Sequence, residues 1–432
     1  MIKKYEKYKD SGVEWLGEVP SHWAIVRIKY MCSVSGGGTP TTTVKTFWNG
    51  GIPWFTPKDM KTDYLLKSED TLSLEGVAAS PAKIVQPGCV FMVVRSGILK
   101  HSLPVGINCI PATVNQDIRV LKFKMICSPY FFVWWVKGNE HSLLDVWRKQ
   151  GTTVESIEQS YVSDTGIPLP PTSEQTAIAA YLDTRTAAID QKISFLEKKA
   201  ESYRQLKQSL INETVTRGLN KNVKLKDSGM EWIGMVPEHW EVKPISSVTT
   251  PVSIKNNPNE ELLSVYRDYG VIVKSSRDDN NNKPGQDLTS YKLVEEGYLV
   301  INKMKAWQGS LGISPTRGIV SPAYITCRTN KKIVRRRYLH NLLRCKTYIH
   351  EYNRISYGVR IDQWDMRYDD FKYVPVLLPP VSEQEDIANY IDNSNEKIDA
   401  INISIGLQVE KLKELRKTLI NDVVTGKVKV TT

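Results

Sequence analysis

One stretch of this chain occurs twice without gaining or losing a residue, and few folds accommodate that. Ser173–Arg217 and Ser382–Thr425 open on nearly the same words, LPPTSEQ at Leu169–Gln175 and LPPVSEQ at Leu378–Gln384. They also close alike, LINETVTRGL at Leu210–Leu219 and LINDVVTGKV at Leu419–Val428, and start and end are both displaced by 209 positions. A long segment held to constant length suggests a helical spacer. Pro170–Pro171 and Pro379–Pro380 sit well just before a helix but not inside one. Ser173 and Ser382 are suitable N-caps, with Glu174, and Glu383 with Glu385, in the first turn. Apolar residues then recur at spacings of three and four: Ile178, Leu182, Ile189, Ile193, Leu196, Ala200, Tyr203 and Leu210 in the first copy. The second copy has Ile387, Ile391, Ile398, Asn402, Ile405, Val409, Leu412 and Leu419 at the matching positions. Such a stripe needs a partner helix, and one narrow stripe in duplicate suits two helices that pair with each other in a coiled coil. Lys207, Arg416 and Asn402 interrupt the stripe, which would penalise wrong registers. A helix of this length spans roughly 65 Å at 1.5 Å per residue.

A second repeat begins each half. KDSGVEWLGEVPSHW at Lys9–Trp23 matches KDSGMEWIGMVPEHW at Lys226–Trp240. Each half therefore reads as head, variable body, Pro-Pro hinge and helix, joined by a short polar linker, Asn220–Lys226. The tryptophans of the heads (Trp15, Trp23, Trp232, Trp240) are best read as anchors that pack a head against its own domain or a helix end. His22 and His239, which precede two of them, are structural on the same reasoning.

The bodies are different from each other. In the first, Cys89–Val94 and Ile118–Phe123 read as strands, and Tyr130–Val136 and His141–Arg148 as helix. In the second, Leu262–Tyr266, Tyr298–Asn302 and Tyr324–Arg328 read as strands and Arg337–Arg354 as helix, with an exposed turn at Asp278–Pro284. Both are mixed α and β with no regular βαβ alternation, an α+β class.

At 432 residues, two to four domains are expected. No run approaches the length of a membrane span, and the N-terminus lacks the apolar core of a signal peptide. Six scattered cysteines form no CxxC pair and read as reduced residues of a cytoplasmic protein. The net charge of +11 is unevenly distributed. Residues 1–172 carry 19 basic and 15 acidic groups and 218–380 carry 25 and 17, whereas the two helical segments are near neutral. That distribution fits a polyanion held by the bodies.

Signatures of catalysis are missing. The loop Gly36–Gly38 lacks the Gly-Lys-Ser/Thr of a phosphate-binding loop, and there is no HExxH, GxSxG or Cys/His metal cluster. Asp59, Asp117 and Asp365 do not have the spacing that identifies a nuclease. Recognition chemistry is better represented, in loops rich in Arg, Lys, Asn, Gln and Thr. In the first body the candidates are Thr39, Thr41, Thr42, Thr43, Lys45, Arg95, Lys100, Asn115, Gln116, Arg119, Arg148, Lys149 and Thr152. In the second they are Arg277, Lys303, Lys305, Trp307, Gln308, Tyr357, Arg360 and Gln363. Arg335, Arg336 and Arg337 look like a phosphate-binding patch. For helix pairing the candidates are Ile189, Ile193, Leu196, Tyr203, Leu210, Ile398, Ile405, Val409, Leu412 and Leu419.

With these elements in order, the chain resembles the specificity subunits of type I restriction–modification systems over nearly its whole length. The resemblance rests on the doubled LPPxSEQ-plus-helix elements, the heads ending VPSHW and VPEHW, and GGTP…W…GIPW…D at Gly37–Asp59. NKMKAWQGS at Asn302–Ser310 and GIVSPAY at Gly318–Tyr324 add to it. It implies two target recognition domains, 1–172 and 218–380, held apart by an antiparallel coiled coil of the helices 173–217 and 381–432. It implies a bacterial or archaeal protein that binds an asymmetric, bipartite double-stranded DNA target and performs no catalysis. Two modification subunits, using S-adenosylmethionine for adenine methylation, and two restriction subunits, using ATP and Mg, would supply the chemistry; the chain itself would hold no cofactor and no metal. The alternative is a coiled-coil assembly scaffold with no base readout.

Overall fold

The computed structural model describes residues 3–151, 154–277, 285, 287–358 and 364–430. The expected turn Asp278–Pro284 and the candidates Thr152, Arg360 and Gln363 lie outside the described residues. The chain divides into two compact units, Met1–Leu196 with Leu407–Thr432, and Glu197–Gly406. Each repeated segment is one continuous helix, Thr172–Arg217 and Val381–Val424. The division falls within the helices, so each unit contains one body and half of each helix.

Within the first unit the start of the first long helix packs with the end of the second, Ile178 and Leu182 sharing a core with Ile420, Val423 and Val424. In the second unit Val215 shares a core with Ile387 and Ile391. The helices are therefore antiparallel in both. The expected stripe is the covered face: Leu196, Ala200, Ile398, Ile405 and Val409 are buried, and Ile189, Ile193, Tyr203, Leu210, Leu412 and Leu419 are half-buried. Two of the interruptions are cross-helix ion pairs. Arg416 lies 2.9 Å from Asp190, and Lys207 lies 2.8 Å from Asp399. Asn402 is also on the covered face, its side-chain oxygen closed to water and without a partner among the described residues. Ser173 and Ser382 are not N-caps: the helices begin one residue earlier, directly after the second proline.

The two bodies share one architecture although their sequences differ. In the first unit an antiparallel sheet runs in the order Cys32–Gly36, Ile118–Phe123, Val90–Val93, Val105–Asn108, with Tyr64–Leu65 added in parallel at the edge. The second unit has Thr249–Pro251, Ile325–Thr329, Leu299–Ile301, Leu311–Ile313 in the same order. A helix pair follows in each, Pro129–Gly138 with Glu140–Trp147, and Arg336–Arg344 with Lys346–Ile355. The single helix expected over Arg337–Arg354 is thus two, because Cys345 adopts an extended conformation between them. Short helices Gln159–Asp164 and Tyr368–Phe371 come next. The chain then returns along strands Gly166–Leu169 and Pro375–Leu378, which pair with Ala24–Arg27 and Glu241–Pro244 and lead into the prolines.

The repeated words form a clasp where body, head and helix meet. Each head is a two-stranded ribbon, Tyr8–Asp10 with Glu18–Pro20 and Leu225–Asp227 with Met235–Pro237. The DSG turn is closed by an aspartate in both copies: Asp10 Oδ1 accepts the Gly12 N–H, and Asp227 Oδ1 accepts the Gly229 N–H, each at 2.9 Å. The head tryptophans Trp23 and Trp240 are fully buried. His22 Nε2 lies 2.9 Å from Glu174, and His239 Nε2 lies 2.8 Å from Glu383. The helix ends meet the heads too: a Cβ on Gly218 would stand 3.2 Å from the Trp240 ring, and one on Gly426 would overlap the Pro20 ring. Both glycines have positive φ, so they also serve as helix stops.

The SEQ glutamine ties the body to this clasp. Gln384 is fully buried; it accepts the Arg335 N–H at 2.8 Å and donates to the carbonyls of Ile333 and Pro379. Gln175 does the same with the Ser128 N–H and the carbonyls of Ile126 and Pro170. Replacing Gln384 with alanine removes three hydrogen bonds and strands buried backbone groups. The full chain should lose about 2–4 kcal/mol in denaturant unfolding, with a similar loss for Gln175→Ala. A loss indistinguishable from zero would contradict the clasp.

Candidate nucleic-acid interface

Some of the recognition candidates lie at one end of each sheet. In the first unit that end is defined by Gly36 opposite Arg119, Val93 opposite Ile118 and Met92 opposite Val105. The Gly/Thr loop leaves the first strand here and is pinned down. Gly38 N–H donates to Val114 C=O at 3.0 Å, the Trp54 indole donates to Gly38 C=O at 2.9 Å, and Thr39 Oγ1 lies 2.5 Å from Gln116 Oε1. Only glycine fits at 37, since a Cβ there would overlap the Val114 carbonyl oxygen. Thr41, Thr42 and Lys45 are exposed further along the loop. Arg119 itself is half-committed, donating to Gln116 C=O at 3.0 Å. Asn115 is buried and bonded to Asp117, so it shapes the loop and presents nothing outward.

Arg95, Lys100, Arg148 and Lys149 form a neighbouring group. Arg95 and Lys100 are exposed on the segment after the central strand. Arg148 is a clamp: its Nη2 donates to Leu99 C=O at 2.7 Å and its Nε stands 3.5 Å from Glu155. Lys149 is exposed and lies 3.4 Å from Glu158.

In the second unit the equivalent end carries the Asn302–Ser310 turn and the Ser321–Tyr324 loop, beside strand ends Ile301, Ile325 and Leu311. Lys303 lies 3.1 Å from Asp365, and the Trp307 and Trp364 rings stand 5.3 Å apart. Lys305 is exposed and Gln308 half-buried on the same turn. Tyr357 pairs with Asp365 through backbone hydrogen bonds, donates to Asp370 at 3.2 Å and has the Arg367 guanidinium 4.8 Å from its ring. Sequence reasoning missed Lys292, Asn302, Tyr324, Trp364 and Asp365. Lys292 donates to the Tyr324 carbonyl at 2.5 Å, and burial together with Lys255 and Lys303 pulls its pKa below the usual lysine range. Arg277 stands apart from this group, its guanidinium 4.8 Å from the Tyr269 ring.

The arginine run is used internally. Arg335 pairs with Glu385 at 2.5 Å, Arg336 with Glu296, and Arg337 with Asp392 and Asn389. Two of these three carboxylates are on the second long helix, so the run fastens the body to it, and its charge is already matched.

Each body also has an antiparallel bridge between its second and its short helix. Arg148 bridges Ile157 in one, Tyr357 bridges Asp365 in the other. Each is stitched to the segment after the central strand, through Ile157 N–H to Val94 C=O at 2.8 Å and Met366 N–H to Lys303 C=O at 3.0 Å. Nothing in the repeated words announces this element, because it lies wholly in the divergent bodies.

Among the described residues no cluster of side chains is fit to hold a metal ion, and no helix is long and apolar enough to cross a membrane. A family model described as the type I restriction modification DNA specificity domain matches residues 20–197. The chain is 32% identical over 210 residues to the type I restriction enzyme EcoR124I/EcoR124II specificity subunit of Escherichia coli, covering 46% of this chain and 49% of that one. It is 27% identical to the MjaIX specificity subunit of Methanocaldococcus jannaschii, covering 57% and 56%. These matches span about half the length of those relatives. A match to the MjaVIII specificity subunit of the same archaeon is weaker, 23%, but covers 95% and 94%. A chain from a structure describing assembly and conformational transition of the type I R-M system superposes with a TM-score of 0.67 at 16% identity, covering 94% and 98%. The HsdS subunit from Thermoanaerobacter tengcongensis superposes with 0.55 at 15%, covering 95% and 98%. Family model, relatives and fold together make this chain similar to the specificity subunits of type I restriction–modification systems.

Proposed function

We propose that the chain is the DNA-sequence reader of a type I restriction–modification complex. Each unit reads one half of an asymmetric, gapped duplex target; modification subunits methylate adenine and restriction subunits cleave, with S-adenosylmethionine, ATP and Mg on those partners and no catalysis or cofactor here. The complex works in the cytoplasm. The observation that carries this reading is the shared body architecture with unlike loops at the equivalent sheet end. Thr39 and Gln116 stand at that end in one unit, with Arg95 and Lys100 on the segment after the central strand, where the other unit carries Lys303, Lys305, Trp307 and Gln308. Two readers on one frame imply two different half-sites. Lysines and arginines would contact phosphate and set register, while Gln, Thr and the carboxylate of Asp365 face base edges. Binding should therefore fall steeply with salt.

The helices supply both spacing and docking. Leu206 and Leu415 are 50% and 54% exposed, at positions related by the repeat, each immediately before a stripe cation. Two apolar side chains left at equivalent places fit two copies of one partner, and we assign them to the modification subunits. Leu206→Glu and Leu415→Glu should each reduce the assembled stoichiometry from two modification subunits to one by native mass spectrometry. Retention of both copies in the double variant would refute the assignment.

The reading itself is tested by exchanging residues 24–160 for the first body of another specificity subunit. The methylated sequence should change in one half-site only; an unchanged sequence would favour the scaffold alternative. Inserting four residues into Ser173–Arg217 lengthens that helix by about 6 Å. It should shift or widen the gap between half-sites without altering either half, as read by base-resolution methylation mapping.

A further inference from the structure

We propose that Lys303 and Asp365 are an exchangeable reading pair: on the target, Asp365 leaves Lys303 to accept a hydrogen bond from the exocyclic amino group of a base, and Lys303 turns to phosphate or a base acceptor. This rests on the reading of the chain as a DNA-specificity subunit.

Three observations support it. The pair stands at the recognition end of the second unit, with the Trp307 and Trp364 rings beside it and Lys292, Asn302 and Tyr324 adjoining. Its side chains are 37% and 36% exposed, so both can be reached from outside. The two oxygens of Asp365 are unlike: Oδ2 faces the Lys303 ammonium, while Oδ1 is closed to water and has no hydrogen-bond partner among the described residues.

A purely stabilising role accounts for little of this. Half-exposed ion pairs contribute little to stability. A carboxylate on a surface that meets polyanionic phosphate is repelled by it, and that cost is offset where the carboxylate accepts from cytosine N4 or adenine N6 in the major groove. In the free protein the neighbouring lysine keeps the carboxylate compensated. The first unit offers the contrast. There the carboxylate of Glu155 faces Arg148, whose guanidinium is already fixed to the Leu99 carbonyl, so that pair is not free to open.

The test uses the full chain assembled with its modification subunits and maps methylated sites at base resolution for the unaltered protein, Asp365→Asn and Lys303→Met. In the unaltered protein, one position of the half-site read by the second unit should be cytosine or adenine, and the map states which. Asp365→Asn should weaken discrimination at that position roughly tenfold to a hundredfold, leaving the other half-site unchanged. Lys303→Met should lower methylation of all targets while keeping the preference at that position. An unchanged map with Asp365→Asn would overturn the proposal. So would an equal loss at every position together with a lowered melting temperature, which is the behaviour of a structural pair. Absence of any gapped motif with the unaltered protein would instead overturn the functional reading beneath it.

Discussion

The structure depends on one helix-to-helix contact made twice. Asp190 with Arg416 and Lys207 with Asp399 are the same interaction, since the repeat carries Asp190 onto Asp399 and Lys207 onto Arg416. An antiparallel pair built from two copies of one repeat permits this; a parallel pair would bring each acid beside its own copy. The charges alone do not choose the register. A slip of one heptad would offer Asp392 to Lys207 and Asp183 to Arg416, which are equally good partners. The register is set at the helix ends. Asn212 Oδ1 accepts from Thr347 N–H and Oγ1 at 3.0 and 2.7 Å, and the equivalent Asn421 donates to Gly138 C=O at 2.9 Å. The LIN words at the close of each repeat thus dock each helix onto a body, and the ion pairs fit the register that docking imposes.

The words at the start of each repeat do a complementary job. The glutamate of SEQ holds a head histidine, and the glutamine holds the loop leading into a body helix. The two copies differ in detail: Trp240 donates its indole N–H to Glu383 at 3.1 Å, while in the first unit Tyr5 reaches Glu174 and the Trp23 indole N–H has no partner among the described residues. Exchange of one donor for another leaves the carboxylate satisfied, and that is what burial demands. Head, body and helix are therefore locked by polar contacts that do not involve the body's outer loops.

That separation explains what is legible in the chain without coordinates. The helices, their covered stripe and the head anchors are legible because duplication turns each copy into a control for the other. Strands such as Ile118–Phe123 are legible from apolar runs. Ser173 and Ser382 fall two positions too late to be caps, since a proline stands directly before the first helical residue and takes the cap position itself. The arginine run at 335–337 shows the limit of residue type as a guide: a cluster of like charges says nothing about the acids that fold back onto it from Glu296, Glu385 and Asp392. Asp365 carries no motif that marks it as anything but a lone acid, and its neighbours Lys303 and Trp307 lie about sixty residues away in sequence.

The shared body architecture suggests how such a protein can change what it reads without losing its fold. The sheet order, the helix pair and the return strand bury the core, and their sequences differ between units while the order does not. The segment between second and short helix is held by backbone bonds to the central segment, Ile157 to Val94 and Met366 to Lys303, which depend little on side-chain identity. The side-chain pairs beside those bonds then differ between the units, Arg148 with Glu155 in one and Lys303 with Asp365 in the other, while the backbone arrangement is the same.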